Sequence, residues 1–409
     1  MELFPREKYL SRMRGFYDAD DIIKVITGVR RCGKSCLMQT IVAELKARGI
    51  HDENIIYIDL DKRGYGQIKH PHQLDKLIEE KTQVKGLKYL FIDEIQNVVG
   101  FEEVINGFRN EGDYSIFITG SNSYLLSGEL VTKLTGRYIE FEMYPLTLDE
   151  FIDMKSFYRK PIPSDRQDLL NQYILEGGFP RTIFIDELAD KHTYIQSIID
   201  EIFKKDITKR IKIRDRDTFA RVQNFIINNF GSTTSMNSLC QALQQFGVVI
   251  SRATVMRYIQ SLVDAKLLLP CDRFDMKSQK SLSGEKKYYL ADLSFYYARN
   301  TDRRINYGPA LENIVYLYAK SMKYKISVGR IGKLECDFIL RNSDMDYSYV
   351  QVAYTILASK DTEDREYRAL EAIRDNYKKY VMTMDGLIQK RHGIIHVNAV
   401  DFMRNKMQF

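Results

Sequence analysis

The sequence predicts an α/β protein: a parallel sheet wrapped by helices, a helical middle, and a second α/β region at the end. Three observations lead there. Over the first third, short apolar runs alternate with amphipathic stretches, the pattern of βαβ units. A glycine-rich loop joins the first apolar run to the first helical pattern. From about Gly308 the chain again reads helix, three strands, helix and strand.

Strands are expected at Ile22–Thr27, Ile55–Asp59, Tyr89–Asp93, Ser115–Thr119 and Tyr138–Met143, with helices such as Ser35–Arg48 and His72–Val84 between them. Runs this apolar suit a sheet covered on both faces. A second region opens near Pro145, and Lys204–Arg216 reads as a basic connector. Short helices and an extended run follow, from Thr218 to Phe274.

At 409 residues the chain exceeds one ordinary core, so two or three domains are expected. The boundaries read as 1–150 for the first α/β domain, 151–217 for a helical linker, 218–300 and 301–409. An apolar share of 44% with 28% charged residues is that of a globular protein and excludes disordered and fibrous classes. A net charge of +6 permits nucleic-acid contact without arguing for it. No apolar run approaches the roughly 18–20 residues that cross a bilayer, and the start lacks the basic-then-apolar order of a secretory signal. Five cysteines without paired ligand spacing read as free thiols in a reducing compartment. A cytoplasmic protein without a membrane partner is expected.

Gly28-Val29-Arg30-Arg31-Cys32-Gly33-Lys34-Ser35 fills every fixed position of the P-loop pattern, between a strand and a helix as the motif requires. The glycines let the backbone wrap phosphate oxygens with its amides pointing inward. The following helix start adds about half a positive charge. Lys34 would reach the β- and γ-phosphates of a nucleoside triphosphate, and Ser35 would bind Mg²⁺. The whole stretch, with Cys36 after it, forms the expected nucleotide-binding set. Arg30 and Arg31 occupy variable positions and are expected on the surface.

The apolar run Tyr89-Leu90-Phe91-Ile92 ends in Asp93-Glu94. Asp93 is placed to hold Mg²⁺ with Ser35. Glu94 is suited to orient and deprotonate the attacking water, which favours hydrolysis over binding alone. At the end of the next strand, Ser121 and Asn122 are candidates for the γ-phosphate or the lytic water; a polar helix cap is the competing reading. Arg137 is a candidate for stabilising transition-state charge, in its own site or a neighbour's, against an ion pair of purely structural use.

The motifs Gly28–Ser35, Phe91-Ile92-Asp93-Glu94-Ile95-Gln96, Thr119-Gly120-Ser121-Asn122-Ser123, Gly136-Arg137, Tyr144-Pro145-Leu146, Gly177-Gly178-Phe179-Pro180 and Leu311-Glu312-Asn313 together resemble an AAA-like family of bacterial and archaeal P-loop ATPases. Its members carry a carboxy-terminal domain of unknown function. The resemblance spans nearly the whole chain. It implies ATP as the nucleotide, a winged-helix segment and a nuclease-like end. An oligomer is compatible with it, and nothing in the sequence fixes one.

Within the middle, Ser235–Ala242 and Ser251–Leu262 read as two helices, the second capped by Ser251. Val255, Ile259 and Leu262 form its inner stripe, and Arg252, Thr254, Arg257 and Tyr258 are assigned to its outer face. Leu267–Leu269, Arg273-Phe274 and Tyr288–Leu290 would make a wing. Two uses stay open: DNA contact by the second helix, assisted by the basic run from Lys204 to Arg216, or packing against a protein partner.

The terminal order resembles the PD-(D/E)xK nuclease fold, with Asp337 at the first acid. Gln351 and Ala353 stand where an acid and a lysine are required, so a degenerate scaffold is expected; Glu335 and Glu312 are the substitutes that would keep cleavage alive. The expected function is an ATP-driven switch or remodelling protein. A DNA-binding regulator with nucleotide as conformational ligand, a metal-dependent nuclease and a pure interaction scaffold are the alternatives.

Overall fold

A computed structural model describes residues 2–82, 84–120, 136–245, 247–248, 250–278, 280–300 and 304–409. The chain divides into two compact units, Met1–Tyr144 and Pro145–Phe409.

The first unit is built on strands β1 (Ile23–Gly28), β2 (Ile55–Asp59), β3 (Lys88–Asp93), β4 (Tyr114–Thr119) and β5 (Tyr138–Met143), all parallel in the order β2-β3-β4-β1-β5. The three inner strands are buried at every residue, while β2 alternates and β5 is half open. Position in the sheet sets that difference, since only inner strands are covered on both faces. Among its described residues the unit also carries helices α1 (Glu7–Met13), α2 (Lys34–Ala47), α3 (Pro71–Lys81) and α4 (Phe101–Glu111). Helix α3 begins with proline and a reciprocal cap between His70 and Gln73, both start signals. Leu74, Ile78, Phe101, Ile105 and Phe108 pack on Leu90, Ile92, Ile116 and Ile118 to form one face of the core.

The second unit opens with α5 (Leu148–Phe157), α6 (Arg166–Glu176) and α7 (Leu188–Ile202). Two glycines organise this region. A Cβ on Gly178 would lie 2.1 Å from the Leu146 carbonyl oxygen, and one on Gly177, at φ +73°, would lie 2.2 Å from Asp292 Oδ1. The Gly178 amide donates to Asp292 Oδ2 at 2.7 Å, and its carbonyl accepts from the Leu146 amide at 2.7 Å. Burial pushes the Asp292 carboxyl up to about 6 against the pull of its donors. The sequence motifs around Leu146 and Gly177-Gly178 are therefore two sides of one contact.

There follow α8 (Arg216–Asn228), β6 (Thr233–Ser235), α9 (Met236–Gln245), α10 (Arg252–Asp264) and the hairpin β7 (Leu268–Asp275) and β8 (Lys280–Leu290), with β6 pairing on β8. Then come α11 (Tyr307–Ser321), β9 (Lys325–Ile331), β10 (Leu334–Arg341), β11 (Tyr347–Val352), α12 (Lys360–Glu371), β12 (Lys378–Thr383), β13 (Lys390–Arg391), β14 (Ile394–Asn398) and α13 (Ala399–Arg404). Because β7 pairs with β9, hairpin and terminal strands share one nine-stranded sheet, ordered β13-β14-β12-β11-β10-β9-β7-β8-β6. The sequence shows no sign of that continuity.

One assignment on α10 is corrected. Tyr258 is buried, not on the outer face, and packs edge-on against Phe219 with centroids 5.1 Å apart. Val255, Tyr258, Ile259 and Leu262 follow the i, i+3, i+4, i+7 spacing of a buried stripe. Arg252, Met256 and Arg257 are exposed.

Candidate functional site

The carboxyl ends of β2 and β3 and the loop after β1 meet around one cavity of about 360 Å³, lined by Arg30, Arg31, Gly33, Lys34, Ser35, Cys36, Asp59, Asp61, Asp93 and Glu94. Parallel open sheets place ligands there, outside the strand ends. The loop after β1 is shaped by its glycines. Gly28 has φ +142°, and a Cβ on it would meet the Met143 carbonyl oxygen at 2.3 Å; Gly33, at φ +109°, precedes α2 in the left-handed region. Only glycine holds such angles without strain.

Lys34 folds back over the loop, its Nζ 3.1 Å from the Gly28 carbonyl oxygen and 3.3 Å from that of Val29. Its ammonium is buried and donates only to neutral carbonyls in these two bonds. From α1, Arg6 donates to the Cys32 carbonyl at 3.1 Å and to the Tyr144 carbonyl at 2.8 Å, anchoring the loop from behind. Cys32 faces the interior, fully buried, where burial raises its thiol pKa, so this position supports the loop without lining the cavity. Cys36 is exposed at the cavity. Arg30 is a correction to its expected surface place: it is only 9% exposed and lines the cavity, while Arg31 is exposed.

Asp93 is 2% exposed, and both its oxygens are engaged. Tyr57 on β2 donates to Oδ2 at 3.2 Å, and the Thr119 hydroxyl on β4 donates to Oδ1. The same Thr119 oxygen accepts the Glu94 amide at 3.1 Å. Burial, then Asp93, raises the Tyr57 pKa, which keeps the phenol a donor. Glu94 takes φ +56°, an uncommon left-handed angle for a side-chain-bearing residue. That turn aims its carboxylate along the cavity wall, where Gln96 Nε2 donates to Oε2. Asp61, whose amide bonds Asp59 Oδ1 at 3.1 Å, accepts from Asn97 at 3.1 Å.

Lys34, Ser35, Asp93 and Glu94 are thus brought together. Arg137 is not: it precedes β5, whose first residue pairs with Ile23 at the start of β1. Five residues of strand, about 17 Å at ~3.3 Å each, separate that end from the loop, and Arg137 donates instead to Asn106 at 3.2 Å. Ser121 and Asn122 lie outside the described residues.

The known proteins this chain is similar to agree with the geometry. An AAA domain matches residues 20–152, and a domain of unknown function (DUF8612) matches 167–304. An uncharacterized protein of Haemophilus influenzae is 35% identical over 382 residues, 93% of each chain. The uncharacterized protein MJ1544 of Methanocaldococcus jannaschii is 30% identical over 390 residues, covering 92% of this chain and 84% of its own. This chain belongs to their family, with an AAA domain at its head. Among solved structures, the Walker-type ATPase PABY2304 of Pyrococcus abyssi superposes with a TM-score of 0.50 at 13% identity, over 73% of this chain and 95% of that one. That likeness is one of fold.

For this AAA-domain protein, sequence reasoning missed Arg6, Tyr57, Gln96 and Asp61. Of these, only Gln96 had a signal, standing two residues after Glu94. The others come from separate elements and meet only through the fold. No helix among the described residues is long and apolar enough to cross a membrane.

Proposed function

We propose that the protein binds ATP with Mg²⁺ and hydrolyses it, and that turnover controls how the second unit engages DNA. One observation carries the reading: Lys34, Ser35, Asp93 and Glu94 line a single cavity at the strand ends. Lys34 exchanges its two loop carbonyls for β- and γ-phosphate oxygens, a gain because phosphate is charged and a carbonyl is not. The donors at the metal position are a hydroxyl and a carboxylate, hard oxygen ligands that suit Mg²⁺ with phosphates and waters filling its remaining places. Glu94 takes the proton of the attacking water once Gln96 releases it.

The division into 1–150, 151–217, 218–300 and 301–409 belongs to this proposal. In 218–300 the order helix, strand, helix, helix and hairpin supports a winged helix, with α10 as the groove-reading element. Arg252 and Arg257 are exposed on it, and Lys204, Lys205, Lys209, Lys212, Arg214 and Arg216 are exposed on the preceding segment. These cations would neutralise phosphates, giving an affinity that falls with salt.

The deciding experiment is ATP turnover alone and with single- and double-stranded DNA across a salt series. Turnover modulated by DNA, with Arg252→Ala and Arg257→Ala weakening DNA affinity and flattening its salt dependence, supports the proposal. Salt-dependent DNA binding with intact ATP binding and no turnover would replace it with a regulator that uses nucleotide as a conformational ligand.

A further inference from the structure

Far from the nucleotide cavity in sequence, three carboxylates and one ammonium meet within the second unit. Lys287 Nζ on β8 lies 2.8 Å from Glu312 Oε1 on α11, 3.0 Å from Glu335 Oε1 and 3.8 Å from Asp337 Oδ1, both on β10. Its side chain is 6% exposed. The surrounding bonds close the cluster. Tyr289 donates to Glu312 Oε1 at 2.5 Å, Arg273 to Glu335 Oε2 at 3.0 Å, and the Val352 amide to Asp337 Oδ2 at 2.8 Å.

Acids arranged on a helix and a neighbouring strand in this way invite a divalent cation, and the residues do not fit one. Gln351 is committed elsewhere, its amide donating to Glu366 at 3.0 Å, and Ala353 offers no side-chain donor. Among the described residues no three His, Cys, Asp or Glu side chains are grouped to hold a metal. The space among the acids is taken by the lysine itself.

We infer that Lys287 is the resident cation of this cluster, an internal ammonium that fastens the β7–β8 hairpin to α11 and β10 and leaves no divalent-metal site. The placement of charge supports it. Two cations, Lys287 and Arg273, are set among the carboxyl groups of Glu312, Glu335 and Asp337, with Lys287 within 4 Å of all three and Arg273 on Glu335. The ion pairs link residues 218–300 to 301–409 through side chains where β7 and β9 already link them through backbone. On this inference the clasp serves rigidity.

The test uses the full chain without nucleotide. Melting temperatures are measured for the wild type, Lys287→Met, Glu312→Gln and the double variant. The inference expects Lys287→Met to melt well below the wild type, and expects adding Glu312→Gln to cost little more, because an unpaired buried carboxylate is then removed. Losses that simply add overturn it. Should Lys287→Met fail to fold, a Mn²⁺ titration decides. The inference expects the same response from the wild type and Asp337→Asn; a Mn²⁺-dependent rise in the wild type that Asp337→Asn abolishes overturns it.

Discussion

The Tyr57 hydroxyl reaches Asp93 Oδ2 at 3.2 Å from the strand paired beside it, while Thr119 holds the other oxygen from the opposite side. Asp93 is thereby fixed in the plane of the sheet before any ligand arrives. Tyr57→Phe removes one hydrogen bond to a charged group, worth about 1.5–3 kcal/mol. If that energy is expressed in positioning the metal, steady-state kinetics will give a kcat lower by about tenfold to a hundredfold, with KM for ATP nearly unchanged. A change confined to KM would mean that Tyr57 acts on binding alone.

Lys34 and Glu94 divide the work differently. Lys34→Ala is expected to abolish ATP binding. Glu94→Gln keeps the shape of the cavity and removes the base, so equilibrium binding should persist while single-turnover hydrolysis slows by about 10²–10⁴. Wild-type hydrolysis by Glu94→Gln would remove Glu94 from the chemistry.

Two glycines offer a matched pair for stability. A methyl group on Gly178 meets the Leu146 backbone at 2.1 Å, whereas nothing lies within 4 Å of the corresponding position on Gly107 in α4. Gly178→Ala should cost more than about 2 kcal/mol, since backbone must move. Gly107→Ala should gain up to about 1 kcal/mol from helix propensity. Thermal melts of the two variants must move in opposite directions.

The legible parts of this molecule were those written in continuous sequence. All five strands of the first unit were placed to within a residue at each end, because inner strands of a parallel sheet are uniformly apolar. The loop Gly28–Ser35 was legible because one turn of backbone carries the whole motif. Tyr258 was misplaced because a tyrosine's polar tip hides how often its ring is core. Arg6, Tyr57 and Lys287 were illegible for a different reason. Each acts on a partner at least 25 residues away, and no local pattern encodes such a meeting.

Lys24 supplies a pH-dependent prediction. It is fully buried on β1, donating to the Ala19 carbonyl at 2.5 Å and Ser115 Oγ at 2.9 Å. Burial pushes its pKa down to about 7, against Asp21, Asp20 and Asp18, which raise it. Between that value and the ordinary 10.5 the unfolded chain binds more protons than the folded one. Stability of the first unit should therefore rise with pH across this window, by at most about 1.4 kcal/mol per unit for one proton. Denaturation from pH 7 to 10 should show that slope in the wild type and lose it in Lys24→Met, which should also be the more stable near neutrality. An unchanged slope in Lys24→Met would assign it to other groups.

The account stands on a triphosphate fitting the cavity above Lys34, and isothermal calorimetry addresses that fit directly. Titrating Mg²⁺-ATP into the folded wild type should give saturable heat from one site per chain, and the same titration into folded Lys34→Ala should give none. A silent wild type, or a variant that binds as the wild type does, would contradict the account.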